Sequence, residues 1–563
     1  MRGRKDIVWL VVLCLVSVVI SAQDRVYLEH SETLSFDQQR IPDAEILRGN
    51  VCFRHDQALM YCDSAYFYEK SNSLDAFGHI RFVQGDTLFG YGDMLFYDGN
   101  TRCARLRRHV RLVHNATTLT TDTLLYDRNA ERAWYSTGGT IEDTVSTLTS
   151  RYGCYYTSTS HADFRYDVHL VNNQFTLDAD TLHYNTKTHV ADLVAPTTIV
   201  YQEETTILSS NGWYNTETEQ SLLLDRSQIL HIDGKQMTAD TIYYDKHVGY
   251  ARMLHAMELK DTVQQSSLLG HYGEYHEEGE RGYATDSAML VDWSNDTAYT
   301  YIHADTLFTE LVDVLGDSVR SDTAYRRVRA HHGVRVFNRE YQMVCDSLVY
   351  NDLDSVATLY HLPICWSDYQ QVSADTVWVY LRNETVDYLH GIGSAIAIKQ
   401  ENHRRFDQMA GKEMYAYVRD GEVYQIAVNG NAETIFFPRE EDGAFVGCNK
   451  TQSSFVNMYL KDQQVDHVVF TTSTKGTIYP LDQIADADTY LQQYFWADTE
   501  RPKQMEDIFL RPEHTFRPKS QAVSAAVEEE EPTLVETSDA EGEEVTPVQE
   551  PKTQRNKRKK STR

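Results

Sequence analysis

The sequence predicts an all-β protein made of stacked repeats. One motif, Asp-x-(Leu/Ile)-x-Tyr-(Asp/Asn), recurs along the chain with a spacing of about 30 residues. The composition points the same way, because 37 tyrosines stand against 11 prolines and 28 glycines in 563 residues, and tyrosine suits the half-buried pleated surface of a sheet. A fixed period of this length is typical of units that bury their apolar faces only by stacking on their neighbours.

The first 22 residues have the features of a secretory signal peptide. A basic start at residues 1–5 precedes an apolar run at residues 7–20 and the small residues Ser21 and Ala22. The run is shorter than the roughly 20 residues that cross a bilayer, and no later stretch reaches that length. We therefore expect an exported chain that begins after Ala22 and does not span the membrane.

The tyrosine of the motif marks each repeat. Successive motif tyrosines are 29 to 31 residues apart at Tyr97, Tyr126, Tyr155, Tyr184, Tyr214, Tyr244 and Tyr275. A second apolar run, such as residues 110–112, keeps step with them. Both runs alternate with period two, which places the Leu/Ile and the Tyr on one face of a strand. Because Asp, Asn and Gly follow the tyrosine and close turns, each unit is expected to form two or three short strands.

The repeats divide into two segments. The tyrosine spacing loosens between Tyr275 and Tyr350 and then resumes. This pattern predicts a first stacked segment at residues 23–290, an irregular junction at residues 291–325 and a second segment at residues 326–478.

The C-terminal part of the chain has a different texture. Apolar residues recur at helical spacing at Ile484, Ala487, Leu491 and Phe495. They predict a short helix around residues 481–496, in a cap at residues 479–514 that covers the last repeat. Residues 515–563 carry separated acidic and basic runs with almost no aromatic residues, which is typical of a disordered charged tail.

Charge and cysteine content exclude some functions. A formal net charge of −30 argues against nucleic acid as a partner. Seven cysteines follow the signal peptide, so at least one lacks an intrachain partner. A local disulfide could form within Cys52/Cys62 or Cys345/Cys365 in an oxidising compartment. No Cys-x-x-Cys spacing indicates a zinc or thioredoxin-like site.

The sequence predicts neither an enzyme nor a metal or cofactor site. An aspartate recurs once per repeat, at what the pattern suggests is the start of a strand, whereas a catalytic acid is usually singular. These structural aspartates are Asp93, Asp122, Asp180, Asp240, Asp346 and Asp375. The pair His331 and His332 would point to opposite faces of a strand, so the two rings cannot easily share one ion. Motifs for nucleophile elbows, phosphate loops and dinucleotide sites are absent.

The predicted interior offers a lane of apolar and aromatic side chains. Read one residue at a time, these are core positions. If the two halves of a folded sheet gape, however, the lane becomes a groove for acyl chains, with about 0.8 kcal/mol gained per buried methylene. The candidate lipid-binding residues are Val51, Phe53, Ile80, Phe82, Leu95, Val110, Leu112, Leu124, Tyr126, Leu182, Tyr184, Ile242 and Tyr244.

The repeats resemble the OstA-like family of organic-solvent-tolerance and lipopolysaccharide-transport proteins. The resemblance rests on units such as Met237-Thr-Ala-Asp-Thr-Ile-Tyr-Tyr244-Asp and Met60-Tyr-Cys-Asp-Ser-Ala-Tyr-Phe-Tyr68, and it covers roughly residues 40–475. It implies a twisted, open-ended β-jellyroll that accommodates lipid A chains between its sheets. It also implies end-to-end strand pairing with other jellyroll proteins of the transport relay.

These observations predict a non-enzymatic lipopolysaccharide carrier that contributes to outer-membrane assembly. We expect it in the periplasm, either free or associated with the outer membrane. Arg105, Arg107, Arg108 and Arg111 are candidate head-group contacts or simply a solvated face. The alternative is a β-solenoid scaffold with a filled interior that binds only protein partners in the cell envelope. An enzyme acting on surface glycans is a third hypothesis, which would require a singular cluster of acids.

Overall fold

The computed structural model describes residues 25–295, 298–313, 324–383, 385–440, 443–461 and 464–511. Within these residues it contains 38 β-strands and four short 3-10 helices, so the all-β prediction is confirmed. The predicted signal peptide and the charged tail at residues 515–563 lie outside the described residues.

The strands of the first half are β1 (Tyr27–His30), β2 (Thr33–Phe36), β3 (Glu45–His55), β4 (Ala58–Tyr68), β5 (Ser73–Gln84), β6 (Leu88–Asp98), β7 (Cys103–His114), β8 (Thr117–Asp127), β9 (Arg132–Tyr135), β10 (Gly139–Glu142), β11 (Thr147–Ser150), β12 (Tyr152–Tyr156), β13 (His161–Val171), β14 (Phe175–Asn185), β15 (Val190–Leu193), β16 (Thr197–Tyr201), β17 (Thr205–Ser209), β18 (Asn211–Asn215), β19 (Gln220–His231), β20 (Lys235–Asp245), β21 (Tyr250–Asp261) and β22 (Ser266–His276).

The remaining strands are β23 (Arg281–Thr285), β24 (Met289–Asp292), β25 (Thr300–His303), β26 (Thr306–Asp313), β27 (Ala324–Phe337), β28 (Gln342–Asn351), β29 (Val356–Tyr360), β30 (Ile364–Ser367), β31 (Gln370–Ser373), β32 (Thr376–Arg382), β33 (Thr385–Gln400), β34 (Phe406–Arg419), β35 (Glu422–Phe436), β36 (Cys448–Lys461), β37 (Gln464–Thr471) and β38 (Lys475–Tyr479). The 3-10 helices span Glu69–Ser71, Glu278–Glu280, Asp486–Thr489 and Met505–Phe509.

Most long strands contribute to two sheets. The ladder between β5 and β6 shifts register between Phe77 and Ile80, and the same shift recurs in the other long strand pairs. Elsewhere the strand is fully broken at this point, so that β14 pairs with β15 along one half and with β16 along the other. We call the sheet made of the halves that carry the tyrosine motif sheet A, and the sheet made of the other halves sheet B.

The inner faces of sheets A and B pack against each other. Phe82 of sheet B lies 5.8 Å, centroid to centroid, from Tyr126 of sheet A, and Phe175 lies 5.0 Å from Tyr214. Alternation with period two supplies these faces, because every second residue of each strand is buried. The result is an antiparallel stack with one continuous apolar core between two sheets.

The repeated aspartates lie at the bend between the sheets, which differs from their predicted place at the start of a strand. At one such bend, in β5, Gly78 and His79 both have positive φ, and the His79 Nδ1 atom lies 2.7 Å from the carboxylate of Asp63 on the preceding strand. A Cβ atom on Gly78 would come within 2.3 Å of that carboxylate. His109 with Asp93 and His332 with Asp346 repeat the arrangement, so the aspartate binds the bend of the neighbouring strand.

The segment after β38 is not the predicted helix over residues 481–496. It contains the 3-10 helices Asp486–Thr489 and Met505–Phe509 and otherwise runs as an irregular strap. We call residues 481–511 the strap. It lies on the outer face of sheet B across strands of the second segment instead of covering the last strand, because Gln408, Gln371 and Arg335 bond its backbone in turn.

The predicted junction at residues 291–325 contains ordered strands where it is described. β24 and β25 pair with each other, and β26 pairs with β27, so the stack continues through Asp313. Residues 314–323 lie outside the described part of the chain. The division into two segments stays a prediction.

The described cysteines are all free thiols. Cys52 and Cys62 lie on adjacent strands, but alternation turns Cys62 toward the core and Cys52 toward the outer face. Cys345 and Cys365 both face the core but are two residues out of register, since Cys365 pairs with Met343. Such diagonal neighbours are about 7–8 Å apart at Cα, beyond the usual disulfide spacing.

Candidate functional site

The structure brings all the predicted lipid-binding residues together. Each is at most 2% exposed, and all belong to one apolar cluster. Sheet A supplies the motif residues such as Leu124 and Leu182, whereas sheet B supplies residues such as Val51 and Phe82. In the structure these side chains form a packed core, and their contact with lipid stays a prediction.

Polar contacts close one side of this core, the side where the free ends of the two sheets meet. The Tyr97 hydroxyl at the end of β6 accepts a hydrogen bond from Arg128 Nη1 at 2.7 Å and lies 2.7 Å from His55 Nδ1 at the end of β3. His55 belongs to sheet B and Tyr97 to sheet A, so one hydroxyl joins the two free ends. Burial raises the pKa of Tyr97, which keeps the phenol neutral.

The same latch recurs in the following repeats. Tyr126 bonds Gln84 at 3.3 Å, and Tyr155 lies 2.9 Å from His114 Nδ1. The Tyr184 hydroxyl donates to Asp143 Oδ2 at 2.6 Å. In each case the partner of the tyrosine lies at the free end of sheet B. The pairs are Tyr97/His55, Tyr126/Gln84, Tyr155/His114 and Tyr184/Asp143, and together they hold the repeats up to Tyr184 shut.

Ion pairs replace the tyrosine latches further along the stack. Lys235 Nζ at the end of sheet B lies 3.2 Å from Glu280 Oε1 at the end of sheet A. Arg326 Nη2 lies 3.0 Å from the same Glu280 carboxylate and 3.6 Å from Asp261 Oδ2. This four-residue cluster forms one border of a cavity that opens beside it.

The cavity has a volume of about 450 Å³ and lies between the sheets. Its walls come from the inner faces of both sheets, as Leu348 and Tyr350 of sheet A and Ile302 and Met343 of sheet B show. Burial is the main cause that raises the pKa of Tyr350 to about 12, so its phenol is neutral as well. Tyr350 is the motif tyrosine of this repeat, but here it lines the cavity.

A second cavity of about 600 Å³ continues from the first along the stack. The two share the lining residues Tyr341, Met343, Asn383 and Val386. Among the described residues, eleven of the fourteen half-buried apolar side chains that pack on the core occur from Leu259 onward. The core is therefore closed in the first repeats and partly open in the later ones. We call the two joined cavities, from Leu259 to Val423, the groove.

The groove suits an elongated apolar ligand with a polar end. Each cavity falls within the roughly 300–1,000 Å³ of small-molecule sites. Apolar walls favour hydrocarbon through burial of its surface, and charged side chains such as Lys235, Lys260 and Arg326 stand at the rim. Lys235 and Arg326 are already ion-paired, so a bound anion would compete with Glu280 and Asp261 for them.

Other residues considered from the sequence lie away from the groove. Arg105 and Arg111 are exposed on the outer face, and Arg111 lies over the ring of Tyr91 at 4.6 Å. His331 packs beside Phe308, while His332 has positive φ at a bend and faces Asp346.

Sequence reasoning missed the groove residues. The signal that could have found them is the irregular spacing between Tyr275 and Tyr350, because this stretch of chain supplies many of the lining residues. The loosened spacing predicts a junction, whereas in the structure it falls within the groove.

A two-sheet, open-sided β-jellyroll with a partly open apolar interior is the class of protein that this fold and groove define. Residues 23–180 match the family model of the OstA-like protein, which confirms the resemblance predicted from the tyrosine motif. The family consists in general of envelope transport and binding proteins, not enzymes. The groove lies outside the matched residues. No curated protein matches the chain. Among the described residues, no helix is long and apolar enough to cross a membrane.

Proposed function

We propose that this protein binds the acyl chains of lipopolysaccharide in the groove between its sheets and transports it across the periplasm toward the outer membrane. The observation that carries the proposal is the change in the interior along the stack. The first repeats are filled and latched, whereas the repeats from Leu259 onward enclose two joined cavities of about 450 and 600 Å³. The lipid site is thus proposed downstream of the residues that the sequence favoured.

Acyl chains fit the groove for a physical reason. Its walls are aliphatic at positions such as Leu259, Ile302 and Val386, and each methylene buried there contributes about 0.8 kcal/mol. The net charge of −30 disfavours attraction of an anionic lipid at long range. Binding therefore rests on apolar burial, with the rim cations acting only at short range.

The ends of the stack support transfer between proteins. Among the residues that the structure describes, β1 and β2 at one end and β37 and β38 at the other each pair along one side only. Such edges can accept another strand, and neighbouring jellyrolls can join in this way. Lipid could then pass from one groove to the next within the envelope.

A specific observation favours a scaffold role for the repeats up to Tyr184 alone. Their four motif tyrosines are at most 2% exposed, and the four latches described above close them. We propose that these repeats mainly support partner contacts while the groove binds lipid.

Photo-crosslinking tests the proposal. A benzophenone amino acid is placed at Ile302 or Val386, which face the groove, and at Tyr301, which neighbours Ile302 but faces outward. Each variant is expressed in the envelope, irradiated and blotted for lipopolysaccharide. We expect adducts at Ile302 and Val386 and none at Tyr301.

Two further positions separate the segments. Leu124 faces the packed core and Leu125 the outer face of the same strand. Adducts at Leu124 but not in the groove would return the lipid site to the latched repeats. An absence of adducts at every inward position, in folded and exported protein, would favour the filled scaffold and contradict lipid transport.

A further inference from the structure

Two histidines and an aspartate meet on the outer face of sheet A, away from the groove. His161 and Asp163 are two residues apart on β13, and the buried Ala162 and Phe164 between and after them fix their outward direction. His183 stands opposite Asp163 on β14 and also faces outward, since Leu182 and Tyr184 are buried. Strand alternation and register therefore place three potential ligands together.

The distances fit metal coordination. His161 Nε2 lies 3.1 Å and His183 Nε2 lies 3.7 Å from Asp163 Oδ1. Ligand atoms about 2.0–2.2 Å from a tetrahedral zinc ion are about 3.4 Å apart, and the two observed distances lie on either side of that value. One nitrogen or oxygen from each residue lies within 4.8 Å of the others, so small side-chain rotations would complete the geometry.

The surroundings hold the three side chains in place. All three are half-buried, and the two histidine rings meet edge to face at 5.7 Å. Backbone ladders on both sides of β14 fix its position, because β14 pairs with β13 and β15. Asp192 of β15 is in register with His183 and faces the same way, which adds negative charge beside the cluster.

We propose that His161, Asp163 and His183 bind a divalent transition-metal ion, with Zn²⁺ the best match to two imidazoles and one carboxylate. Three protein ligands leave a coordination position for water or for a group from a partner. The ion joins β13 to β14 on the outer face of sheet A. Because the cluster lies outside the groove, this site is independent of the lipid proposal.

Isothermal titration calorimetry tests the site. The full mature chain, without a histidine tag and freed of metal by a chelator, is titrated with ZnCl₂. We expect one site, and we expect Asp163→Asn or His183→Ala to weaken its affinity by at least about tenfold, since loss of even a group that only orients a ligand costs that much. His169→Ala is the matched control, because His169 and Asp178 form a 2.6 Å pair on the same two strands but in sheet B, with only two ligands.

Cobalt binding gives a second readout, which a simple ion pair without bound metal would not produce. Co²⁺ bound to the three side chains should produce visible absorption bands that Zn²⁺ displaces, and Asp163→Asn should remove them. If the folded chain shows neither zinc binding nor these bands, the cluster is an ordinary His–Asp–His contact. Equal loss of binding in His169→Ala would also overturn the assignment, since it would place the ion elsewhere.

Discussion

At the scale of single residues, the hydroxyl of the motif tyrosine joins the two sheets in each latched repeat. A motif tyrosine fills the core with its ring, and its hydroxyl reaches a partner on the other sheet, as the Tyr184–Asp143 pair shows. The Asp143 side chain is only 2% exposed. Its Oδ1 accepts hydrogen bonds from the Val145 and Ser146 amides, whereas its Oδ2 depends on Tyr184 and on His189 at 3.5 Å. Buried polar groups of this kind stabilise a fold when they are paired and are costly when they are not.

Removal of this hydroxyl should destabilise the first segment. In Tyr184→Phe the ring stays in the core, but Asp143 Oδ2 loses its strongest partner. We expect the free energy of unfolding to fall by about 2 kcal/mol, the usual contribution of a hydrogen bond to a charged group. Urea denaturation followed by far-UV circular dichroism measures the change.

Tyr243→Phe is the control for that experiment, because Tyr243 faces outward on sheet A next to Arg252. Its stability should stay within about 0.5 kcal/mol of the parent. Equal effects of the two substitutions would mean that the latch contributes nothing beyond an ordinary tyrosine.

At the scale of elements, the strap shows how glutamine side chains can replace a β-ladder. Gln371 Nε2 donates to Phe495 O at 2.9 Å, and its Oε1 accepts from Ala497 N at 2.9 Å. Gln408 bonds Thr489 and Leu491 in the same way. Each amide offers one donor and one acceptor, as a backbone peptide does, so the strap is held without forming a strand.

Loss of one glutamine should release the strap. Gln371→Ala leaves the half-buried Phe495 carbonyl and the buried Ala497 amide without this partner, at about 1–3 kcal/mol. Trypsin cleavage after Lys503, which Gln504 follows, should then become about tenfold faster or more. The exposed Gln452, whose side chain bonds Glu433, provides the control Gln452→Ala. Unchanged cleavage in Gln371→Ala would show that apolar contacts such as those of Tyr494 hold the strap by themselves.

Elements differ in how far the sequence could predict them. Strands followed from period-two alternation, because a half-buried strand must alternate in any tertiary context. The helix predicted from Ile484 and Leu491 is wrong, because those residues pack on apolar side chains at the outer face of sheet B. Phe437 and Ile398 are among these side chains. Helical spacing says that residues are buried, but it cannot identify the surface that buries them. Prediction of the His161–Asp163–His183 cluster would require the register between β13 and β14, which the residue spacing within one strand does not reveal.

At the scale of the whole molecule, contacts between neighbouring repeats hold most of the stack, and the strap adds contacts across several strands from β27 to β34. Stability can therefore differ along the axis without unfolding the rest. The core residues could be predicted from the sequence, since Val51 and Leu124 are buried as the pattern requires. The groove could not, because it depends on which partners meet at the free ends of the sheets after folding.

Hydrogen exchange on the full chain should expose this difference between two equivalent turns. Residues 186–189 follow Tyr184, and residues 352–355 follow Tyr350, with similar backbone hydrogen bonds in both turns. The first turn lies beside a latch and the second beside the groove, so we expect residues 352–355 to exchange at least about tenfold faster. Addition of lipopolysaccharide should slow exchange in residues 352–355 and leave residues 186–189 unchanged, since only the groove gains contacts. Equal rates in the two turns would contradict the assignment of closed repeats up to Tyr184 and an open groove further along the stack. If lipopolysaccharide protected only residues 186–189, lipid would bind among the latched repeats.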